Sequence, residues 1–291
     1  MAILARVCCW LMLFIGLSHA AETTLRIASY NIRYEEPKDH QWRSWPERLQ
    51  RLIATIRRMD PDVLGIQEAL HGQVADLRLS LPDYEFYGQG RDDGKQAGEY
   101  AGIFYRKSRL RADLTDAGVF WLSATPEVPG SRTWGNKIPR ITTWLALHDM
   151  TTQRDFTVYN THWDHRHQGS RLESSRLLQK RIDSRKKSHA PVILLGDFNA
   201  TEGNPAVDVL AGRVKGWQHS LVDTYHTLHP QVKSRRTLHF WSNSRAGWLK
   251  VDHILVSAPV AVKAAEILYP RSGEMPASDH FPVSATISWP E

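Results

Sequence analysis

A series of short apolar runs in this chain ends, each time, on a side chain able to bind a cation or move a proton. Leu25 to Ile32 delivers Asn31, Asp62 to Gln67 stops before Glu68, Phe156 to Thr161 is followed by His162, and Val192 to Gly196 leads into Asp197 and Asn199. Towards the C-terminus, Val251 to Val256 carries Asp252, and Asp279-His280 precedes Val283 to Ile287. Any one of these alone reads as a turn or capping residue, which is what Asp and Asn mostly supply at strand ends. Together they form the donor set that phosphate ester hydrolysis demands. That reaction is so slow uncatalysed that enhancements reach about 10²¹-fold for monoesters, so water must be activated, an anion neutralised and a leaving oxygen stabilised. A hard divalent cation can do the neutralising, and Mg²⁺ needs only one or two protein carboxylates because it keeps several waters. Glu68 and Asn31 are suitable ligand types. A carboxylate behind a histidine, as Asp252 could stand behind His280, fixes the tautomer and tunes proton transfer near neutral pH.

The elements that must position these groups follow from periodicity. Leu25 to Ile32 alternates as a strand does. Pro46 and Glu47 suit a helical first turn, Leu49, Leu52, Ile53, Ile56 and Met59 recur at helical spacing, and Pro61 ends the helix. Further expected elements are a strand at Asp62 to Gln67, a helix near Gln73 to Leu79, and strands at Tyr84 to Tyr87, Gly102 to Arg106 and Ile141 to Leu147. A strand at Phe156 to Thr161, a helix from Ser170 to Lys186 and the strands named above complete the set. Gly88 to Glu99 reads as a polar loop, and Ser123 to Pro139, rich in Pro, Gly and Ser, as a long surface excursion. In strand Val251 to Val256 adjacent side chains face opposite ways, so Asp252 can serve the site without His253.

The chain has 291 residues, 42% hydrophobic and 23% charged, an ordinary globular balance without repeats or a linker. Arg6, then an apolar stretch from Val7 to Leu17, then Ser18-His19-Ala20 have the order of a signal peptide, which sets residues 1–20 apart from a single domain at 21–291. A membrane span needs about 20 apolar residues and this run is too short, so no span is expected after cleavage. Both cysteines, Cys8 and Cys9, fall inside the leader, which leaves the remaining chain neither disulfides nor a thiolate metal site. Export without disulfides suits a secreted or periplasmic bacterial protein. A net charge of +6 favours an anionic ligand without naming it.

The motifs ASYNIR (Ala28 to Arg33), GIQE (Gly65 to Glu68), NTHWDH (Asn160 to His165), LLGDFNA (Leu194 to Ala200), KVDHILV (Lys250 to Val256) and SDHFPV (Ser278 to Val283) resemble the endonuclease/exonuclease/phosphatase superfamily, in family order and over nearly the whole chain after the leader. The resemblance implies an α/β fold, a four-layered α/β/β/α sandwich with two mostly antiparallel sheets, and a site at one end of the sheets. It implies Glu68 as principal ligand of Mg²⁺ or Mn²⁺, with Asn31 and Asp279 nearby. Asp197 would orient or deprotonate water and Asn199 would hold phosphoryl oxygens. His162 and His280 would contact phosphate or move protons, with Asp252 orienting His280. GRDDG, GEYAGIFY and NTHWDH look most like a secreted bacterial branch related to the deadenylase-like (carbon catabolite repressor type) members, in which Glu99 stands where an acid pairs with the active-site histidine. Arg140, Asp164, Arg166 and Arg171 are candidates for substrate selection, since arginines grip phosphate in bidentate fashion.

Three functions fit these residues. One is a metal-dependent phosphatase or phosphodiesterase acting on a small or lipid-linked ester outside the cytoplasm. The second is an extracellular nuclease, with Trp121, Trp134, Trp144, Trp163, Trp217, Trp241 and Trp248 as base-stacking platforms, each worth about 1–3 kcal/mol per base. The third is a noncatalytic binding module, which predicts the loss of a metal or proton-transfer residue; none is lost. No stable protein partner is implied.

Overall fold

The computed structural model describes residues 24–213 and 220–289, so residues 1–20, read above as a signal peptide, and Trp217 lie outside the described residues. Apolar alternation produces two six-stranded sheets. The first contains β1 (Thr24–Asn31), β2 (Val63–Ala69), β3 (Tyr84–Tyr87), β4 (Tyr100–Arg106), β11 (Ala261–Ile267) and β12 (Val283–Ser288), in the order β11-β12-β1-β2-β4-β3. The second contains β5 (Leu110–Trp121), β6 (Ile141–Asp149), β7 (Arg154–His162), β8 (Val192–Asp197), β9 (Leu221–Asp223) and β10 (Asp252–Ser257), in the order β5-β6-β7-β8-β10-β9. Only β1/β2 and β7/β8 pair in parallel. Each of those pairs needs a crossover, and a helix supplies it: α1 (Trp45–Met59) and α3 (Gln168–Asp183). The shorter helices are α2 (His71–Ser80), α4 (Pro205–Leu210) and α5 (Thr224–Leu228).

Three apolar layers show how these elements stack. Leu25, Ile27 and Val63 of the first sheet meet Leu145, Val158, Ile193 and Ile254 of the second in a central core. Leu52, Ile53 and Ile56 of α1 cover the outer face of the first sheet at Tyr30, Leu64 and Phe104. Leu178 and Ile182 of α3, with Leu210 of α4, cover the outer face of the second at Leu194 and Phe198. The expected four-layered sandwich with mostly antiparallel sheets is the observed architecture. The helix read from Leu49 to Met59 starts after Ser44, carries Pro at its first turn and stops where Asp60 turns left-handed, just before Pro61. The excursion from Ser123 to Pro139 is fastened to itself by the Ser123 and Ser131 hydroxyls, 2.6 Å apart.

Strands β5, β9 and β11 and helices α4 and α5 add to the expected set. β5 is an edge strand whose register breaks between Asp113 and Ala117, which hides its alternation. β9 spans only Leu221–Asp223, too short to show a period.

A polar clamp joins the sheets within the apolar layer. Asn160 of β7, fully buried, donates to the carbonyls of Ile66 (2.9 Å) and Gly102 (2.7 Å), and accepts from Gln67 Nε2 (2.7 Å). Gly65 makes this approach possible, since a Cβ there would lie 2.0 Å from Leu195 Cδ1 and 2.9 Å from Asn160 Cγ. Replacing Asn160 by Ala removes three hydrogen bonds to buried groups, although Gln67 keeps its bond to Ser29 Oγ (3.1 Å); at about 1 kcal/mol for each, the variant should lose about 3 kcal/mol of stability. Urea unfolding checks this, and a loss below about 1 kcal/mol would show that the clamp is not structural.

Candidate active site

Register brings the polar strand ends together. His162 of β7 sits opposite Asp197 of β8, and Asp197 sits opposite Asp252 of β10. From the other sheet, Asn31 reaches across and donates Nδ2 to both Glu68 Oε1 (2.9 Å) and Asp197 Oδ2 (3.0 Å), while its Oδ1 accepts from the Arg33 backbone (3.0 Å). Asp197 Oδ2 is the meeting point: His162 Nε2 lies 3.6 Å and His280 Nε2 3.9 Å from it. Glu68, Asn199 and Arg33 all adopt left-handed backbone, with φ of +67°, +47° and +60°. Such conformations cost about 1 kcal/mol or more for ordinary residues and persist only where the surroundings over-determine them. The turn at Asn199 is fixed by its backbone N–H, 2.8 Å from Asp197 Oδ1, and by its side chain, which donates to Trp163 O at 3.0 Å.

The two histidines are driven to opposite charge states. Burial opposes a proton on His280, but the negative charge of Asp252, its 2.9 Å hydrogen bond to Nδ1, and the nearby Asp197 and Asp279 hold the imidazole protonated well above its ordinary range. Burial and the Arg140 guanidinium push His162 well below that range, and its Nε2 accepts from Arg140 at 2.8 Å. Arg140, itself buried, also donates to His165 Nδ1 (2.9 Å). His162 Nδ1 faces Glu99 at 3.7 Å, and Glu99 is gripped by Arg91 through two contacts of 2.6 and 2.5 Å. The structure therefore adds Arg91 and His165 to the site's surroundings; both stood unremarked in polar loops.

Asp279 is nearly buried beside Arg33, 4.0 Å away. Burial raises its carboxyl above the usual range, His280 opposes that rise and the charge of Glu68 adds to it. Asp164 lies apart from this cluster and spends Oδ1 on the backbone N–H groups of Arg166 (2.9 Å) and His167 (2.6 Å), forming the turn into α3. Arg171 donates to the Asp164 carbonyl and to Gln168, and Arg166 is exposed on the same turn. Two of the tryptophans read as stacking platforms are core instead: Trp163 is fully buried and stacks on Phe198 at 4.5 Å, and Trp121 is 3% exposed. Their apolar area is worth more against the sheet than in water. Trp248 is exposed.

Beneath the Asp197 turn, Asp223 Oδ2 meets Lys250 Nζ (2.8 Å) and His253 Nδ1 (2.6 Å), and the far nitrogen of His253 contacts Ala200 O at 2.9 Å. His253 thus faces away from its neighbour Asp252, as strand alternation requires, and braces the turn from behind. Burial would raise the Asp223 carboxyl, but Lys250 and His253 outweigh it and hold it far below the usual range.

The donor set fits a divalent cation. Ligand atoms of Glu68, His162 and Asp197 lie within 4.8 Å of one another, as do those of Asp197, Asp252 and His280. Asp252 Oδ1 is buried without a hydrogen-bond partner among the described residues. Burial and then the Asp252 charge hold Asp197 well above the usual carboxylate range. Carboxylate-rich sets of this kind suit hard cations.

This fold and this cluster match known proteins. The profile of the Endonuclease/Exonuclease/phosphatase family covers residues 28–280, and the chain belongs to that family. An endonuclease/exonuclease/phosphatase from Bacteroides vulgatus is 33% identical, with a TM-score of 0.81 over 92% of this chain and 99% of that one. A mannosyl-6-phosphatase from Bacteroides thetaiotaomicron is 31% identical, with a TM-score of 0.80 over 91% of this chain and all of that one, 100%. A protein of Acanthamoeba polyphaga mimivirus is 28% identical over 170 residues; the match spans 62% of that relative's length and 56% of this chain. Members of the family hydrolyse phosphoester bonds. Among the described residues no helix is long and apolar enough to cross a membrane.

The brace behind the turn is testable. Asp223→Asn removes the carboxylate that neutralises Lys250 and should cost about 3–5 kcal/mol at pH 7, as breaking a buried pair does. Because the native carboxyl sits below its unfolded value of about 3.9, its stabilisation is complete above that pH and is lost as pH falls further. The gap in stability between wild type and variant, measured by urea unfolding, should therefore shrink below about pH 4. A gap independent of pH would refute the assignment.

Proposed function

We propose that this protein is an exported, divalent-metal-dependent phosphoesterase acting on small phosphate mono- or diesters. The observation that carries the reading is the convergence on Asp197 Oδ2 of Asn31 and His280, from β1 and the chain leading into β12 of the first sheet, and of His162 from β7 of the second. Glu68, with Asn31 and Asp279, would hold the cation, Mg²⁺ or Mn²⁺, whose contribution when bound is to neutralise phosphoryl charge and acidify water. Asp197 takes the proton of the attacking water, its raised pKa making it an effective base near neutral pH. His280, kept cationic by Asp252, faces the developing phosphoryl charge and can donate a proton. Asn199 offers its remaining amide N–H to a phosphoryl oxygen, and Arg140 with neutral His162 orients another. Arg166, exposed on the turn that Asp164 holds, selects the substrate together with Glu99, which faces His162. The mannosyl-6-phosphatase relative supports a sugar phosphate monoester among the candidates. The leader-like residues 1–20 support action outside the cytoplasm.

The test incubates the purified protein with Mg²⁺ or Mn²⁺, and separately with EDTA, against mannose 6-phosphate, p-nitrophenyl phosphate, bis-p-nitrophenyl phosphate, phosphoinositides, single-stranded RNA and plasmid DNA. Cleavage of small esters that EDTA abolishes is the expected result. Cleavage confined to nucleic acid, with steep salt dependence, would replace the reading by a nuclease, and inactivity on the whole panel would favour a binding module. Asp197→Ala and His280→Ala should each lower kcat by about 10³-fold or more, with circular dichroism unchanged; removing a general acid–base alone costs about 10²–10⁴. Retained activity in either variant would break the mechanism.

A further inference from the structure

Between α1 and the segment 268–282 lies a cavity of about 260 Å³. Glu68, Asp197, Asp252 and Asp279 do not line it; of the residues in the proposed machinery, only His280 does. Its lining includes Tyr30, a residue 2% exposed overall, whose hydroxyl has no hydrogen-bond partner among the described residues. Three guanidiniums, Arg51, Arg58 and Arg271, surround the cavity against a single carboxylate, Glu274. That carboxylate is already shared between Arg58 NH1 (3.3 Å) and the Arg271 backbone N–H (2.8 Å). The opposite wall is apolar, formed by Leu268, Pro270, Met275, Pro276 and Pro282.

We propose that this cavity binds a small organic anion, a carboxylate carried on an apolar body. The excess of positive charge and the unspent Tyr30 hydroxyl define the end that takes the carboxylate. The proline and methionine wall takes the hydrocarbon. The volume falls just below the usual range for ligand pockets, about 300–1,000 Å³, which limits the occupant to about one ring. The same wall continues through Ala277 to Pro282 and so includes the chain that carries Asp279 and His280.

Benzoate is the probe, with benzyl alcohol as the uncharged control, and calorimetric titration of the purified protein is the readout. Saturable benzoate binding is expected in wild type and in Asp197→Asn, whose catalytic carboxylate is removed, with none for benzyl alcohol. Tyr30→Phe and Arg58→Met should each weaken benzoate by about tenfold, the size of one lost hydrogen bond or charge contact to an anion. Tyr30→Phe deletes one oxygen from a packed ring and keeps the test valid if Arg58→Met, which also loosens the 268–282 segment, fails to fold. The proposal is overturned if benzoate does not saturate, if Asp197→Asn abolishes its binding, or if Tyr30→Phe leaves its affinity unchanged.

Discussion

Like charges crowded away from water set the terms for everything else in this molecule. Glu68, Asp197, Asp252 and Asp279 converge where the sheets end, and burial makes each ionised carboxylate expensive unless something answers it. The chain answers from several directions. Asn31 places one amide between two of the acids, Asp252 spends an oxygen on a protonated His280, and Arg33 approaches Asp279. The same donor set, rich in carboxylate oxygens, suits a hard divalent cation. The left-handed backbone at Arg33, Glu68 and Asn199 belongs to the same economy, for these residues hold the acids where relaxed turns would let them separate.

Rigidity behind the acids comes from polar groups buried in unexpected places. Arg48, wholly buried in α1, donates to the carbonyls of Arg43, Ile32, Arg33, Tyr34 and Ala277, and so ties the loop after β1 to the chain before His280. Asn160 fixes the spacing of the sheets, and the Asp223 cluster fixes the turn at Ala200. Each satisfies backbone groups that an apolar core would leave orphaned, which is why these positions tolerate no simple hydrophobic replacement. The two histidines owe their contrasting charge to this frame: one is paired with a carboxylate, the other is set beneath a guanidinium.

Much of this was legible in the sequence because a buried strand advertises itself as an apolar run and the acid beyond it stands out. Asn31, Glu68, His162, Asp197 and Asp252 were found that way, and register then decided that they meet. Register itself cannot be read from one chain, since it depends on which strands pair. Arg48 was hidden because an arginine between Glu47 and Leu49 on an amphipathic helix reads as part of the solvent-facing side. Arg91 and His165 were hidden because loops carry no periodicity. Trp163 misled in the other direction: its neighbours in NTHWDH are polar, yet the following chain turns the indole inward onto Phe198. Edge strands such as β5 and β11 have one unpaired side and a weaker alternation, which blurs their signal.

In the first sheet the earliest described strand, β1, lies between β2 and the last strand, β12, with Thr24 opposite Ser288. Asn31 is therefore held beside residues that leave the ribosome some 250 positions later, Asp279 and His280 among them. No growing or truncated chain can complete the constellation, because its final members arrive with the strand that closes the sheet. The cluster at the strand ends is thus complete only once β12 has paired with β1, which ties its assembly to the closing of the first sheet.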